Sequence, residues 1–459
     1  MQTTTSSARR AGRLWLTGAA TAAAALAATA IAFNAAGTGP AAQAATVTYD
    51  PLAPALGFNS FVEDETALVS TESEGGVATG GNLVVKGSYN VNIHDASTFT
   101  VAGDSRPSAL VVGGRLDFGQ DPATSVVQVH DYVKVGDLTG ATVRNTDSNN
   151  ASVNTHLVAS GAGYDSTPRI ELNTQQPLAS VGPASPIDFD AAFTELRANA
   201  RKLTGCRAHS VQMVDERLQV IPKGEVAAGQ RITISGIQDG VTNILHVTGE
   251  DLNDMSELVF PVQPTETAPL LINVDTSGTG GEMHWYVRNQ PGAGGGNGAP
   301  YILWNFGDTT RLTLTGGDSV EGSILAPDAD YTDLSPSNVE GQIIAKNASH
   351  GDTGANGGEI HHFPFAAEIA CEDFVQTTPA SKSPDDNSNT IQGSTDVPSD
   401  DTGTTGGSGG PSQGGTDWTD SLAATGTSLR PLLAGAAALT AVGAAVVALT
   451  LARRRSTEH

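Results

Sequence analysis

Between residues 83 and 135 seven short runs of β-type residues follow one another, and none exceeds four residues. They are Leu83–Lys86, Val91–Ile93, Phe99–Val101, Ala109–Val112, Leu116–Phe118, Val126–Val129 and Tyr132–Val135. Each is closed by Gly, Asn or Asp nearby, as strands ending in tight turns are. The spacing leaves no room for helices between strands, which argues against a parallel α/β sheet. The same punctuation resumes at Arg231–Ile234, Leu245–Val247, Leu258–Phe260, Leu270–Val274, His284–Val287, Tyr301–Asn305 and Arg311–Leu314. Two repeats are embedded in it. Gly80-Gly81-Asn82-Leu83 returns in kind as Gly113-Gly114-Arg115-Leu116, and Glu321-Gly322-Ser323-Ile324-Leu325-Ala326 returns nineteen positions later as Glu340-Gly341-Gln342-Ile343-Ile344-Ala345. A period near twenty residues, with small residues at turns, suits the rung of a solenoid. The expected fold is mainly β, a β-solenoid or β-helix, with a β-sandwich as the alternative.

Three stretches depart from this pattern. Tyr49 to Thr71 opens the body, with Phe58, Phe61, Val62, Leu68 and Val69 as core positions of a short helix or strand. Thr146 to Pro186 is polar and reads as an excursion from the strands. A helix is expected over Ile187–Leu203, capped by Ser185, with Pro186 at its first position and Gly205 ending it. Phe189, Ala192, Phe193, Leu196, Ala200 and Leu203 share one face at helical spacing, which predicts that the helix covers an apolar surface of the strand body. Its basic residues, Arg197, Arg201 and Lys202, read as solvated.

Both ends carry apolar segments that do not belong to the fold. Arg9, Arg10 and Arg13 precede an alanine-rich stretch, Leu14 to Phe33, and Ala42-Gln43-Ala44 forms an A-x-A site, so residues 1–44 read as a signal peptide cleaved after Ala44. At the other end residues 432–452 form an uncharged run long enough to span a bilayer, with Arg453, Arg454 and Arg455 behind it on the cytoplasmic side. Leu422-Ala423-Ala424-Thr425-Gly426 resembles the LPXTG sorting signal of Gram-positive surface proteins, in the LAXTG form of high-GC actinobacteria. The resemblance implies a sortase that cuts between Thr425 and Gly426 and joins Thr425 to a cell-wall amine; Ala423 in place of proline implies a different sortase class. Residues 376–421 are Thr, Ser, Gly, Pro and Asp with few apolar residues, and read as a disordered stalk. The folded part is therefore expected over residues 45–375, between a leader and a sorting signal at 422–459.

The formal net charge is −25. Seven of the 24 Lys and Arg residues lie in the two terminal segments, and only one of the 49 acids does, so the part between them is more acidic still. Such a chain repels nucleic acid and anionic lipid. It attracts cations, calcium included, without specificity, and no resident cofactor or metal is expected. The two cysteines, Cys206 and Cys371, form an isolated pair in an exported chain, which predicts a disulfide.

Candidate site residues fall into three groups. Trp285, Tyr286 and Tyr301, with Trp304, flank the glycine loop Pro291 to Pro300; the first three could stack on sugar rings, whereas Trp304 reads as core. Asp117, Asp121, Asp328, Asp330 and Asp333 are the acids an acidic β-helix hydrolase or lyase would draw on, with Asp328 and Asp330 on one side of an extended chain. Glu359-Ile360-His361-His362 offers metal-ligand types without an evident third ligand, and reads first as a polar end cap. Glu74, Glu321 and Glu340 each precede glycine and are expected to accept backbone N–H bonds at rung corners. Neither HExxH nor a P-loop is present, and the Gly-x-Ser-x-Gly matches at Ser408 and Ser412 lie in the stalk. A threonine ladder of the ice-binding kind is not evident, since Thr313 and Thr315 alternate only once.

Several of these segments carry a resemblance. Glu74-Gly75-Gly76-Val77-Ala78-Thr79-Gly80-Gly81-Asn82, the Ile187–Leu203 helix, Ile302-Leu303-Trp304-Asn305-Phe306, Gly322-Ser323-Ile324-Leu325-Ala326-Pro327 and Gly358-Glu359-Ile360-His361-His362-Phe363-Pro364-Phe365 resemble, in order, the choice-of-anchor A domain of bacterial surface proteins. The resemblance covers about Tyr49 to Phe374. It implies an adhesive, β-helical, exported module and brings no catalytic residues. The expected function is a non-catalytic adhesin on a stalk. Its partners are a sortase, then peptidoglycan, then an extracellular polymer, protein or cell-surface ligand. A structural wall or coat protein is the alternative, and a carbohydrate-active β-helix enzyme the lesser one.

Overall fold

In Ser60–Val62 all three residues are buried, and in Ile343–His350 none is exposed, whichever way they point. A strand covered on both faces leaves this pattern, and parallel sheets require it. The computed structural model describes residues 46–119, 124–351 and 357–372. Their strands pair mainly in parallel and stack as the rungs of a β-solenoid with three faces, which excludes the antiparallel sandwich.

Both sequence repeats are pairs of stacked rungs. Glu321 lies opposite Glu340, and Ile324, Leu325 and Ala326 lie opposite Ile343, Ile344 and Ala345. Glycine is needed at both copies of the corner: Gly322 has φ +115°, and a Cβ on Gly341 would meet the Gly322 backbone at 2.7 Å. In the other repeat Leu83 lies opposite Leu116.

The order of the rungs is not the order of the chain. From Ser60–Val62 the chain stacks outward through Val77–Thr79 and Ser108–Val112 to Tyr132–Val135. It then crosses back along the long helix Phe189–Thr204 and starts again at His209–Ser210. Stacking proceeds through Asn243–Thr248, Leu270–Asp275, Ile302–Asn305 and Ser323–Asp333 to Ile343–His350, which pairs with Ser60–Val62. The first and last rungs are therefore neighbours, and the two halves of the solenoid meet at a seam.

The face the helix crosses is apolar outside as well as inside. Phe61, Ala78, Val111, Ile244, Leu271, Leu303, Leu325 and Ile344 form one cluster with Phe189, Phe193, Leu196, Ala200 and Leu203 of the helix. Each large side chain so buried contributes about 1.5–3 kcal/mol, which is why this helix is held although it runs alone. Phe61 stacks on Phe189 and Phe193 at centroid distances of 5.2 and 5.5 Å. Asn273 and Asn305, opposite each other on adjacent rungs, donate to the helix carbonyls of Leu203 and Ala200.

Four expectations are corrected. The helix begins at Phe189, because the Asp188 carboxylate, not Ser185, accepts the Ala191 N–H at 3.0 Å; Ser185 turns its hydroxyl on Ile187 instead. Thr146 to Pro186 is no excursion: Ala141–Thr146, Ser152–Ala159 and Arg169–Leu172 extend the third face, turning where Asp147 accepts the N–H groups of Asn149 and Ala151. Phe99–Val101 forms no strand; Phe99 packs on Phe58 at 5.5 Å. Arg197 is not merely solvated, since it bridges Glu63 of the first rung and Asp328 near the last, clasping the seam.

Cys206, just past the helix, is bonded to Cys371, with Cα atoms 5.2 Å apart. Cys371 lies in Ile369–Glu372, which pairs antiparallel with Thr46–Tyr49. The edges of the sheets are covered by single amides. Gln176 accepts from Val133 N and donates to Val133 O, and Asn253 does the same for Tyr286 N and His284 O. Each mimics a missing strand, which keeps the edge from pairing with another chain. The expected signal peptide, stalk and sorting signal, with Ala42, Ala44 and Leu422 to Gly426, lie outside the described residues.

Candidate functional site

Among the described residues, one face is covered by neither a helix nor another sheet. It is formed by Leu116–Asp117, Leu83–Val85, Thr66–Leu68, the second halves of Ile343–His350 and Ser323–Asp333, Arg311–Gly317 and Glu282–Val287. Ser323–Asp333 reaches it by turning a corner at Pro327, where the register shifts. Alternation then sorts the side chains. Met283, Trp285, Leu312, Leu314, Tyr331, Leu68, Leu83 and Val85 point inward and are buried.

The outward positions between them fall in register: His284 opposite Thr313, Thr313 opposite Thr332, Thr332 opposite Ser349. The column continues from Ser349 to Ala67, Val84 and Asp117, across the seam. Five successive positions, Thr313, Thr332, Ser349, Ala67 and Val84, are small and uncharged. Parallel strands repeat every ~4.8 Å, so the column sets small side chains in a regular array. Thr313 is buried at 8% exposure, Thr332, Ser349, Ala67 and Val84 are half-buried, and the Ser349 hydroxyl donates to the Gly351 carbonyl. Beside it runs a charged column: Glu282 pairs with Arg311 at 2.8 Å, and Asp330 accepts from Asn347 at 2.8 Å.

The column holds two threonines, Thr313 and Thr332, before it passes to Ser349, Ala67 and Val84, so it is a column of small residues and not a regular threonine ladder. Thr313 and Thr332 are nineteen residues apart, the period of the Glu-Gly repeat, and that period was the available signal. The next step, to Ser349, is seventeen, and the one after jumps to Ala67, so no fixed period continues it.

The aromatic candidates do not act together. Trp285 is 1% exposed and packs in the solenoid core against Trp304 and Phe306, at 5.0 and 5.7 Å. It cannot meet a ligand; in a strand it and its neighbour Tyr286 must point opposite ways. Tyr286 is 49% exposed, at the end of the open face, with the Arg288 guanidinium 4.9 Å from its ring. Tyr301 ends a 3-10 turn, Ala299–Tyr301, and packs partly buried against the helix-face cluster, so it does not join the open face. Trp304 is core, as expected.

The acids are likewise dispersed. Asp117 ends the column and accepts the Gly119 N–H. Asp328 and Asp330 do share a side, yet one serves Arg197 and the other Asn347. Asp333 points inward, accepts from Tyr331 and Ser335, and burial pushes its carboxyl up to about 7. Asp121 lies outside the described residues.

The Glu and His candidates meet on the third face instead. Val320–Glu321, Val339–Glu340 and Ile360–His361 are adjacent there, so Glu321, Glu340 and His361 form a column. His361 contacts Glu340 at 2.9 Å and Glu359 at 3.1 Å, with Glu74 at 4.0 Å. The hydrogen bond to Glu340 raises its pKa to about 9, so it is an imidazolium at neutral pH. Burial raises Glu321 to about 7, and the Glu340 charge adds to this. Glu74 accepts the His362 N–H and Glu321 that of Gly295, as expected of corner residues; Glu340 accepts from the imidazole instead. His362 is held by Asn59. Among the described residues no three His, Cys, Asp or Glu side chains are arranged to hold a metal ion.

Residues 51–362, more than half of the chain, match a family described as "Putative Ice-binding-like adhesive domain". Among solved structures one match is the ice-binding protein of an Antarctic ascomycete, Antarctomyces psychrotrophicus. It is 14% identical and aligns over 65% of this chain and 92% of its own, with a TM-score of 0.22, too low to bear on shape. No curated protein matches the chain.

Proposed function

This chain belongs to the family of ice-binding-like adhesive domains, and from that premise we propose that it is a non-catalytic adhesin whose open face is the contact surface. The observation that carries the reading is the registered column Thr313–Thr332–Ser349–Ala67–Val84. A row of small, half-buried side chains at strand spacing, Thr332, Ser349, Ala67 and Val84, fits an ordered, repetitive surface rather than a small molecule. The charged column beside it and Tyr286 at its end form a polar rim. Among the described residues the candidate aspartates Asp117, Asp328, Asp330 and Asp333 are engaged with separate partners.

The surroundings of the domain belong to the same proposal. A signal peptide ending at Ala44 exports the chain of an actinobacterial cell. A sortase cuts between Thr425 and Gly426 and attaches Thr425 to peptidoglycan, and residues 376–421 hold the domain away from the wall. The chain-level test is release of the protein by wall-degrading enzyme, but not by detergent, and its loss to the medium when Thr425 and Gly426 are replaced.

The face is tested by binding of wild type and Thr332→Tyr to crystalline polysaccharides, matrix proteins and ice. Saturable binding to one class, lost at least tenfold in Thr332→Tyr, supports the reading. Equal binding by both proteins removes the open face as the contact surface.

A further inference from the structure

The free end of the first half holds a buried ionic cluster that the adhesive reading does not use. Tyr132–Val135 is the outermost strand there, and Lys134, opposite Val111 on the outer side of the sheet, is nevertheless 5% exposed. The segment Asp104-Ser105-Arg106 lies against it: Asp104 pairs with Lys134, Ser105 with Tyr132 and Arg106 with Asp131. The side chains of Lys134 and Asp104 are 6% and 8% exposed. Asp104 Oδ2 is sealed from water and, among the described residues, faces only the Lys134 ammonium. Two charges taken out of water in this way are costly, and a well-packed neutral pair is often as stable.

The third member of the cluster is Ser180, on the short helix Leu178–Val181 that covers this edge. Lys134 Nζ donates to the Ser180 carbonyl at 2.6 Å and to its hydroxyl at 3.0 Å. That hydroxyl donates to Asp104 Oδ1 at 2.7 Å. Ammonium, hydroxyl and carboxylate thus form a closed relay, fixed from behind by Gln176, whose amide donates to Ser180 Oγ at 3.0 Å.

We propose that Lys134 and Asp104 are a site of intramolecular amide formation. A proton passes from Lys134 Nζ through the Ser180 hydroxyl to Asp104 Oδ1, leaving a neutral amine against a carboxylic acid. The nitrogen lone pair adds to Cγ, a second proton follows the same relay, and Oδ1 leaves as water. One C–N bond forms, one C–O bond breaks, nothing is oxidised or reduced, and the two charges are lost together with one water. Held in contact, the groups react as one molecule, where effective concentrations reach about 10⁵–10⁸ M. Exclusion of water from the product opposes hydrolysis. The amide ties the segment before Pro107 to the terminal strand, and so braces the end of the solenoid at which Tyr132–Val135 is the last strand.

The experiment is peptide mapping of the exported chain after reduction and trypsin digestion. Trypsin cuts after Lys86, Arg115 and Arg144, and spares Arg106 because Pro107 follows. The expected product joins the peptide of residues 87–115 to that of residues 116–144, uncut at Lys134, with the summed mass less one water. Fragmentation places the link on Asp104 and Lys134. Lys134→Arg abolishes the joined species, and Ser180→Ala lowers its fraction several-fold at a fixed time after synthesis. Wild-type protein cut at Lys134, with a free peptide of residues 87–115, overturns the proposal, as does a water loss that maps elsewhere. Equal rates of joining in Ser180→Ala and wild type overturn the relay. The wild-type measurement needs no variant to fold.

Discussion

The open face and the third face are built by the same rungs, yet they put opposite chemistry into register. On the open face Thr313, Thr332, Ser349, Ala67 and Val84 follow one another, and a stack of like residues costs nothing because none is charged. On the third face Glu321 and Glu340 are stacked, and like charges at strand spacing repel. The chain answers with His361 as the next member of that column, an imidazolium between Glu340, Glu359 and Glu74. A registered column is thus a contact surface where it is neutral and needs an internal counter-ion where it is not. The first kind is free for a partner; the second is spent on holding the seam.

The largest expected effect follows from removing that counter-ion. His361→Ala leaves three carboxylates facing one another next to the seam, and should destabilise the domain by about 2 kcal/mol, below the value for a fully buried pair because His361 is partly exposed. Thermal unfolding checks it, and binding by the folded fraction should be unchanged. If His361→Ala binds less but melts normally, the division between the faces is wrong.

Thr332→Tyr is the converse. A ring in the middle of the neutral column should lower binding at least tenfold, about 1.4 kcal/mol, while stability moves by no more than about 0.5 kcal/mol, as at other surface positions. Tyr286→Ala is smaller again. The ring stands at the end of the face, so a two- to threefold loss of binding is expected, with the melting temperature unmoved. A loss larger than that of Thr332→Tyr would shift the contact surface toward the Tyr286 end.

How far the sequence disclosed this depends on whether its signal was local. The Glu-Gly repeat gave the rung because both copies are consecutive in the chain and stack directly. The helix disclosed its buried face through 3.6-residue periodicity, and missed its start by two residues because Ser185 and Asp188 are both good caps. Cys206 and Cys371 could pair only with each other. The open column was not legible, because Ser349 and Ala67 are neighbours only through the seam, which joins the first rung to the last. Nor was the fate of Trp285, whose direction depends on strand parity that begins at Glu282. The hairpin within Thr146 to Pro186 was hidden because its strands face outward in part and carry polar residues.

The smallest effect separates the two columns by pH alone. Glu321 has a folded pKa of about 7, raised by burial and then by Glu340, against an ordinary value of 4.5. A raised acid stabilises the fold fully below 4.5, and that contribution is lost as pH climbs through 7. Glu321→Gln cannot ionise, so it should melt with wild type at pH 4 and above it by about 0.5 °C at pH 8, the shift being discounted because Glu321 is only partly buried. His361 runs later on the same axis. Its pKa is raised from 6.5 to about 9 by Glu340, so its contribution is intact below 6.5 and disappears through pH 9, in the variant as in wild type. Between pH 4.5 and 7 only wild type should therefore lose stability through this column, and above 7 the two curves should fall in parallel. Open-face variants such as Thr332→Tyr, whose added phenol ionises only at about pH 10, should track wild type between pH 4 and 8. A Thr332→Tyr curve that diverges from wild type with pH would mean that the two columns are coupled through the core between them.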